Sequence, residues 1–285
     1  MYCNDSAEKR VKIFEDTMQM CKSNKQLADA ISSSIKGTKF YPADMQLEVM
    51  TPAREVNTIV SVTKERTFEA ARRLYKEFPD KKITVLNFAS ATNPGGGVTN
   101  GASAQEECLC RCSTLYPCLK IKTAFDLYYS VHRRQKDPLY SDACIYTPDV
   151  KVVKKDTMFP EPLPETEWFN VNIITCAAPN LRARSGNNTM NPGRNNPAAI
   201  GPANILTLHK SRATRILDVA AENGTDILVL GAFGCGAFMN DPRLVARAYK
   251  EVLQKYPARF ERIVFAVYCS ARDAKNFDAF NSILR

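Results

Sequence analysis

No run of apolar residues in this chain approaches the roughly 20 that a membrane-spanning helix needs, so no membrane partner is expected. The opening residues, MYCNDSAEKR, lack the apolar core of a secretory signal, and an intracellular location, cytoplasmic or nuclear, is expected. The dipeptide Gly-Lys is missing, which excludes a P-loop. Histidine is scarce: there are two, His132 and His209. That supply is thin for a Cys-His or Ser-His nucleophile, and both are expected to be structural or surface residues. Acidic residues are in the minority, 30 against 39 lysines and arginines, giving a formal charge of +9. An excess of that sign points to an anionic partner: phosphates, nucleic acid or a polymer like it.

What is present is ordinary for a globular protein. The 285 residues are 45% hydrophobic, enough to bury one large core or a core with an extension. Ten cysteines could suggest disulfides. With no export signal, and with Cys176 and Cys269 inside apolar runs, reduced thiols are the better reading. Cys108, Cys110, Cys112 and Cys118 are spaced C-x-C-x-C-x5-C. Zinc knuckles favour pairs separated by two to four residues, and alternate positions on a helix point about 200° apart. No metal site is expected there.

Residues 1–50 carry apolar residues at helical spacing and read as a helical and irregular extension. From residue 56 the pattern changes. Strands are expected at VNTIVSV (56–62), KITVLNFAS (82–90), NVNIITCAAP (170–179), DILVLGAF (226–233) and RIVFAVY (262–268). Helices are expected at 66–78, 205–222 and 243–255, so the alternation predicts an α/β core with a largely parallel sheet. Residues 146–168 read as a short strand plus a proline-rich loop, and 184–204 as a long surface loop.

Two glycine-rich loops each follow a strand. One contains Gly95, Gly96 and Gly97, and the other Gly231, Gly234 and Gly236. Asp241 and Pro242, downstream of the latter, fit a helix N-cap and first helical residue. A glycine turn between a strand and a helix lets backbone amides approach an anion. Two such loops, from the carboxyl ends of two strands, could grip one diphosphate from both sides. Neither has the dinucleotide spacing.

The first loop runs into Glu106 and Glu107. Ser103-Ala104-Gln105-Glu106 fits a capping box, the plain structural explanation for Glu106. Yet acids repel phosphate. The pairing makes sense if the acids face a sugar while the amides hold phosphates. A protonated carboxyl could then donate to a glycosidic oxygen. At neutral pH such chemistry, on Glu107, asks for a Glu107 pKa raised by burial or by the nearby acid.

The glycine triplet, seven residues, and then Gln105-Glu106-Glu107 resemble the signature of poly(ADP-ribose) glycohydrolases, and LNFASATNPGGG, IITCAAPN and GAFGCGAFMNDP resemble the compact microbial-type members. The resemblance implies a three-layer α/β/α macrodomain with a mixed central sheet over residues 51–285, preceded by an N-terminal helical extension over residues 1–50. It implies hydrolysis of ribose–ribose O-glycosidic bonds, with Glu107 the catalytic acid/base and Glu106 orienting the terminal ribose. Asn93, Gly95, Gly96, Gly97 and Gln105 would line the ribose and diphosphate. Gly234, Cys235, Gly236, Ala237 and Phe238 would form a diphosphate loop, with Phe238 packing the terminal ribose. No cofactor and no metal are implied. The expected partners are poly(ADP-ribose) and ADP-ribosylated proteins, with ADP-ribose as product and no sequence-specific nucleic-acid binding. A non-catalytic ADP-ribose reader and a mono-ADP-ribosyl-protein hydrolase are the alternatives; a reader would have no need of the two acids.

Overall fold

A computed structural model describes residues 2–47, 57–182, 200–270 and 273–285. The chain opens with helices α1 (Tyr2–Ser23) and α2 (Lys25–Gly37), the second capped by Asn24, whose side chain accepts from Leu27 N at 3.2 Å. Strands β1 (Lys39–Tyr41) and β2 (Ile59–Thr63) precede helix α3 (Thr67–Glu77) and strand β3 (Ile83–Phe88). After β3 come α4 (Gln105–Cys112), α5 (Leu115–Leu119), α6 (Lys122–Ala124), a π-helical turn (Phe125–Tyr129) and α7 (Ser130–Gln135). Strands β4 (Cys144–Val152) and β5 (Phe169–Cys176), helix α8 (Pro202–Glu222) and strand β6 (Ile227–Leu230) follow. Helix α9 (Pro242–Leu253), strand β7 (Arg262–Ala266) and helix α10 (Lys275–Leu284) complete the order.

The seven strands form one sheet in the order β1-β4-β5-β3-β6-β7-β2. The pairs β5–β3, β3–β6, β6–β7 and β7–β2 are parallel, and β4 runs against both β1 and β5. The central strands are apolar on both faces because helices cover both. Val85, Ile173, Val229 and Val264 pack under α3, α4 and α1. Leu86, Ile174, Leu228 and Phe265 pack under α8, α9 and α10. This double burial produces the near-continuous apolar runs that mark strands of a covered, mainly parallel sheet. The architecture is three-layered, with a mixed sheet at its centre.

Two elements differ from the sequence reading. β1 lies within the stretch read as a helical extension, yet it pairs with β4 in the register Lys39↔Tyr146 to Tyr41↔Cys144. Three residues are too few to show an alternating pattern. β4 has nine residues rather than a short strand, because its register shifts between Thr147 and Val150 and absorbs Pro148 and Asp149 as a bulge. The stretch 184–204 falls mainly outside the described residues; Pro202–Asn204 already belong to α8, with proline in its first turn.

Arg212, on α8, is a fully buried anchor. Its guanidinium reaches Asp142 and the carbonyls of Ala177 and Leu139, joining α8 to the segment before β4 and to the exit of β5. Arg212→Met leaves these groups unpaired. Urea denaturation is expected to show a loss of about 3 kcal/mol.

Candidate active site

The chain leaves β3 through Ala89, whose N–H still bonds Cys176 O at 2.9 Å. Ser90 then turns it: its hydroxyl accepts from Thr92 N and Asn93 N at 3.4 and 3.1 Å. Gly95 and Gly96 adopt left-handed φ values of +68° and +60°, conformations that glycine supplies without Cβ strain. A tight turn follows over Val98–Asn100 and closes on Gly101, also left-handed. α4 starts next, with Glu106 and Glu107 in its first turn.

Both acids are buried under this loop, with 2% and 7% exposure. Glu106 Oε2 accepts from Ser90 N at 2.7 Å, and Oε1 lies 3.3 Å from Asn87 Nδ2. Glu107 Oε1 accepts from Gly97 N at 2.9 Å. Glu107 Oε2 is buried and has no partner among the described residues. Gly96 is the residue that allows this approach: a Cβ there would sit 2.4 Å from Glu107 Oε1 and 3.1 Å from Glu106 Oε2. The capping-box explanation of Glu106 does not hold. The N-cap is Ala104 rather than Ser103, and the Glu106 carboxylate points to β3 and its exit loop.

Burial pushes the Glu106 carboxyl from an ordinary 4.5 up to about 8, and the charge of Glu107 pushes the same way. Hydrogen bonds from Ser90, Asn87 and the Gly95 backbone oppose but do not cancel the shift. Glu106 is therefore mainly protonated at neutral pH. A neutral carboxyl there leaves no charge beside the Glu107 carboxyl.

Gln105 is bound within the protein. Its amide oxygen accepts from Phe88 N at 2.8 Å, and its nitrogen donates to Leu86 O and Thr67 Oγ1 at 2.7 and 3.0 Å. β6 pairs with β3 only as far as Val85↔Val229. The Gln105 amide takes over where that pairing ends, so it fixes α4 to the end of β3 rather than facing a substrate.

The amides of the first loop also have a different use from the phosphate cradle expected. Gly97 N is held by Glu107, Gly96 N by Asn93 O at 3.0 Å, and the Gly95 backbone faces Glu106. Asn93 is exposed, with its side-chain oxygen bound by Arg133 at 2.8 Å. Tyr116 packs beneath Gly95, where a Cβ would meet its ring at 2.6 Å.

The second loop, residues 231–240, is built differently. Gly231 tucks against Phe88, and Phe233 meets the Phe88 ring edge-on at 5.6 Å. Gly234 is left-handed at φ +76°, pressed against Ala178 and Asn240. Asn240 is buried and knits the loop closed, donating to Pro179 O, Gly234 O and Phe238 O. It accepts from His209 Nε2 at 2.8 Å when that nitrogen carries the proton. Burial pulls the His209 pKa down to about 4, so the ring is neutral. The backbone N–H groups of Gly234, Gly236, Ala237 and Phe238 have no acceptor among the described residues. Gly236 and Ala237 are exposed, and a Cβ on Gly236 would meet nothing within 4 Å. Burial holds the Cys235 thiol above its ordinary range, leaving it protonated. Phe238 is half-buried, 6.1 Å from the Tyr140 ring, and its carbonyl accepts from Leu181 N at 2.9 Å. Tyr140 and Met239 both have positive φ, 58° and 60°, a strain that non-glycine residues bear mainly at functional sites.

The two loops thus flank the carboxyl ends of β3 and β6, with the β5 exit beside them, where open α/β sheets bind ligands. One side offers a buried carboxyl pair with one unpartnered oxygen. The other offers unpartnered amides suited to an anion. Sequence reasoning missed Asn87, Ser90, Tyr116, Tyr140, Arg212 and Asn240. None carries a periodic or motif signal, and only the position of Asn240, just before the Asp241 cap, marked a loop end. The thiols of Cys108, Cys110, Cys112 and Cys118 are all buried; Cys108 lies beside Arg111, Cys112 by Lys155 O and Cys118 by Thr114 O.

The chain is similar to proteins of known family and structure. The family described as microbial-type PARG, catalytic domain, matches residues 7–155. The crystal structure of the poly(ADP-ribose) glycohydrolase of Thermomonospora curvata bound to the inhibitor ADP-HPD is 35% identical, covers 96% of this chain and 98% of its own, and superposes with a TM-score of 0.80. The poly(ADP-ribose) glycohydrolase of Deinococcus radiodurans in complex with ADP-ribose is 36% identical over 89% of this chain and 96% of its own, with a TM-score of 0.75. No curated protein matches.

The raised Glu106 pKa fixes a pH dependence of stability. The folded chain holds this proton up to about pH 8, and the unfolded chain releases it near 4.5. Its stabilising effect is complete below 4.5 and is lost as pH rises to about 8. Glu106→Gln removes that loss. The melting temperature of the variant relative to the parent is expected to climb between pH 5 and pH 8.5, in calorimetric scans at matched ionic strength, and to level off above.

Proposed function

The chain belongs to the microbial-type poly(ADP-ribose) glycohydrolases, and from that premise we propose that Glu107 is the group that breaks the ribose–ribose bond of the polymer. The protein is a glycohydrolase that binds ADP-ribose and acts on poly(ADP-ribose). One observation supports Glu107 above its neighbour: its Oε2 is without a partner, whereas both oxygens of Glu106 are engaged.

In the proposed reaction, protonated Glu107 donates from Oε2 to the oxygen joining the two riboses. The bond from that oxygen to the anomeric carbon breaks, the departing ribose leaves as a free hydroxyl, and an oxocarbenium-like centre develops. Water attacks the centre and gives its second proton to the Glu107 carboxylate, which restores the acid. Water is consumed, and two hydroxyls replace one glycosidic bond. Gly97 N–H holds Oε1 throughout, so the moving proton is confined to the other oxygen. Neutral Glu106 lowers the cost of the carboxylate that forms midway and can donate to a ribose hydroxyl. The amides of Gly234, Gly236, Ala237 and Phe238 receive the diphosphate, and the half-buried Phe238 ring supports the terminal ribose.

The polymer itself is the proposed partner, together with the proteins that carry it. Arg133 and Lys120 are exposed beside the first loop: Arg133 bonds Thr92 O at 2.7 Å, and Lys120 lies over the ring of Tyr116, beneath Gly95. Such a cluster raises the local concentration of a polyanion.

The deciding experiment is incubation with auto-modified polymerase and identification of what is released. ADP-ribose released from polymer is the expected product; complete recovery of unmodified protein would instead favour the mono-ADP-ribosyl hydrolase reading. Glu107→Gln is expected to lower turnover about a thousandfold while ADP-ribose affinity, by calorimetric titration, stays within about threefold. Full activity in that variant would remove Glu107 from the mechanism. Gly236→Val, which puts bulk over the free amides, is expected to weaken ADP-ribose binding roughly tenfold. An unchanged titration with an intact fold would show that the second loop does not hold the diphosphate.

A further inference from the structure

The first helix carries no chemistry in its sequence, yet one of its faces is applied to the back of the acid-bearing loop. Ala7, Arg10, Phe14 and Thr17 follow one another at intervals of three, four and three residues, and so lie along one stripe of α1. Each touches the active-site segment. Gly101, left-handed at φ +71°, sits so close to α1 that a Cβ there would lie 2.3 Å from Ala7 O. Arg10 Nε donates to Gly101 O at 2.6 Å. The Phe14 ring meets Tyr116 edge-on at 4.9 Å, and Tyr116 is the ring beneath Gly95. Thr17 Oγ1, fully buried, donates to Arg111 O at 2.7 Å on α4.

The Arg10 contact reaches Glu107 through very few bonds. Gly101 C=O and Ala102 N–H are two ends of one planar peptide unit. Arg10 holds the carbonyl end, and the N–H end donates to Gly97 O at 3.1 Å. Gly97 in turn donates its own N–H to Glu107 Oε1 at 2.9 Å. A cation on the carbonyl polarises the peptide and strengthens its N–H as a donor. Gly97 is thus held by its oxygen, through Ala102 N–H and also Asn100 N–H at 3.0 Å, and holds Glu107 by its nitrogen.

We propose that Arg10 is a positioning residue for Glu107, acting through the Gly101–Ala102 peptide, and that α1 is a working part of the active site rather than an appended helix. This rests on Glu107 being the catalytic acid. Arg10 touches neither substrate nor reacting atoms; it sets where Oε1 is anchored and hence where Oε2 points. A small misplacement of a reacting group lowers the rate more than it lowers affinity.

The test compares the parent protein with Arg10→Ala and Arg10→Lys. Release of ADP-ribose from polymer by the parent is the control, and its absence would bring down the function reading rather than this one. With an active parent, Arg10→Ala is expected to lower kcat about tenfold while KM and the ADP-ribose Kd change by less than about twofold. Arg10→Lys, which keeps a cationic donor, is expected to recover most of the loss, as is millimolar ethylguanidinium added to Arg10→Ala. Backbone hydrogen exchange should speed up at Gly97 and Ala102 and stay unchanged in α9. Three results would overturn the proposal: an unchanged kcat, a loss shared equally by kcat and ADP-ribose affinity, or a loss that neither lysine nor ethylguanidinium reverses.

Discussion

Two adjacent carboxyl groups buried at the start of one helix are the constraint on which the rest of this site depends. Burying charge without partners is far more costly than any single packing gain, so the surrounding backbone must supply donors. Ser90 N–H serves Glu106, and Gly97 N–H serves Glu107. Bringing backbone that close to two carboxylates leaves no room for a side chain at Gly96. Gly96 is glycine for this reason, and Gly95 is confined by the Tyr116 ring beneath it. Glu106 completes the arrangement by keeping its proton near neutrality, which spares the pair a second negative charge.

The opposite wall meets a contrary requirement. Amides that are to receive an anion must be left without internal partners, yet the loop bearing them must not be loose. Asn240 resolves this by taking three carbonyls of the loop and the β5 exit on one side-chain nitrogen, with neutral His209 fixing its oxygen end. Carbonyls are tied inward and N–H groups are left outward. Arg212 does comparable work one layer behind, gripping the carbonyls of Ala177 and Leu139 so that the β5 exit and the turn carrying Tyr140 keep their places.

Most of the frame was legible in the sequence. Five strands and three helices follow from apolar runs and helical spacing, because covered strands must be apolar on both faces and surface helices on one. The glycine loops were legible as well, since three consecutive glycines have few other uses. What the first loop does was not. Ser103 and Glu106 satisfy the spacing of a capping box, but the pattern cannot tell a carboxylate that turns back on its helix from one that turns toward β3. Gln105 shows a related limit: the resemblance implies a substrate-binding role, while in the structure both ends of its amide are bound to β3 and Thr67. β1 was hidden by its length, and Asn240, Arg212 and Arg10 by the distance along the chain to their partners. Single-residue anchors leave no periodic trace.

The docking of α1 also bears on how the chain folds. Its partners at Gly101 and Arg111 are 91 and 94 residues further along, and Lys154, whose buried ammonium pairs with Asp16, is 138 away. During synthesis this helix is made well before these partners, and its contacts with them wait until Gly101, Arg111 and Lys154 have followed. Contacts that close such long loops form late and slow the whole process. This helix is among the last segments to settle, and the acid-bearing loop acquires its final support only when the two ends of that long interval meet.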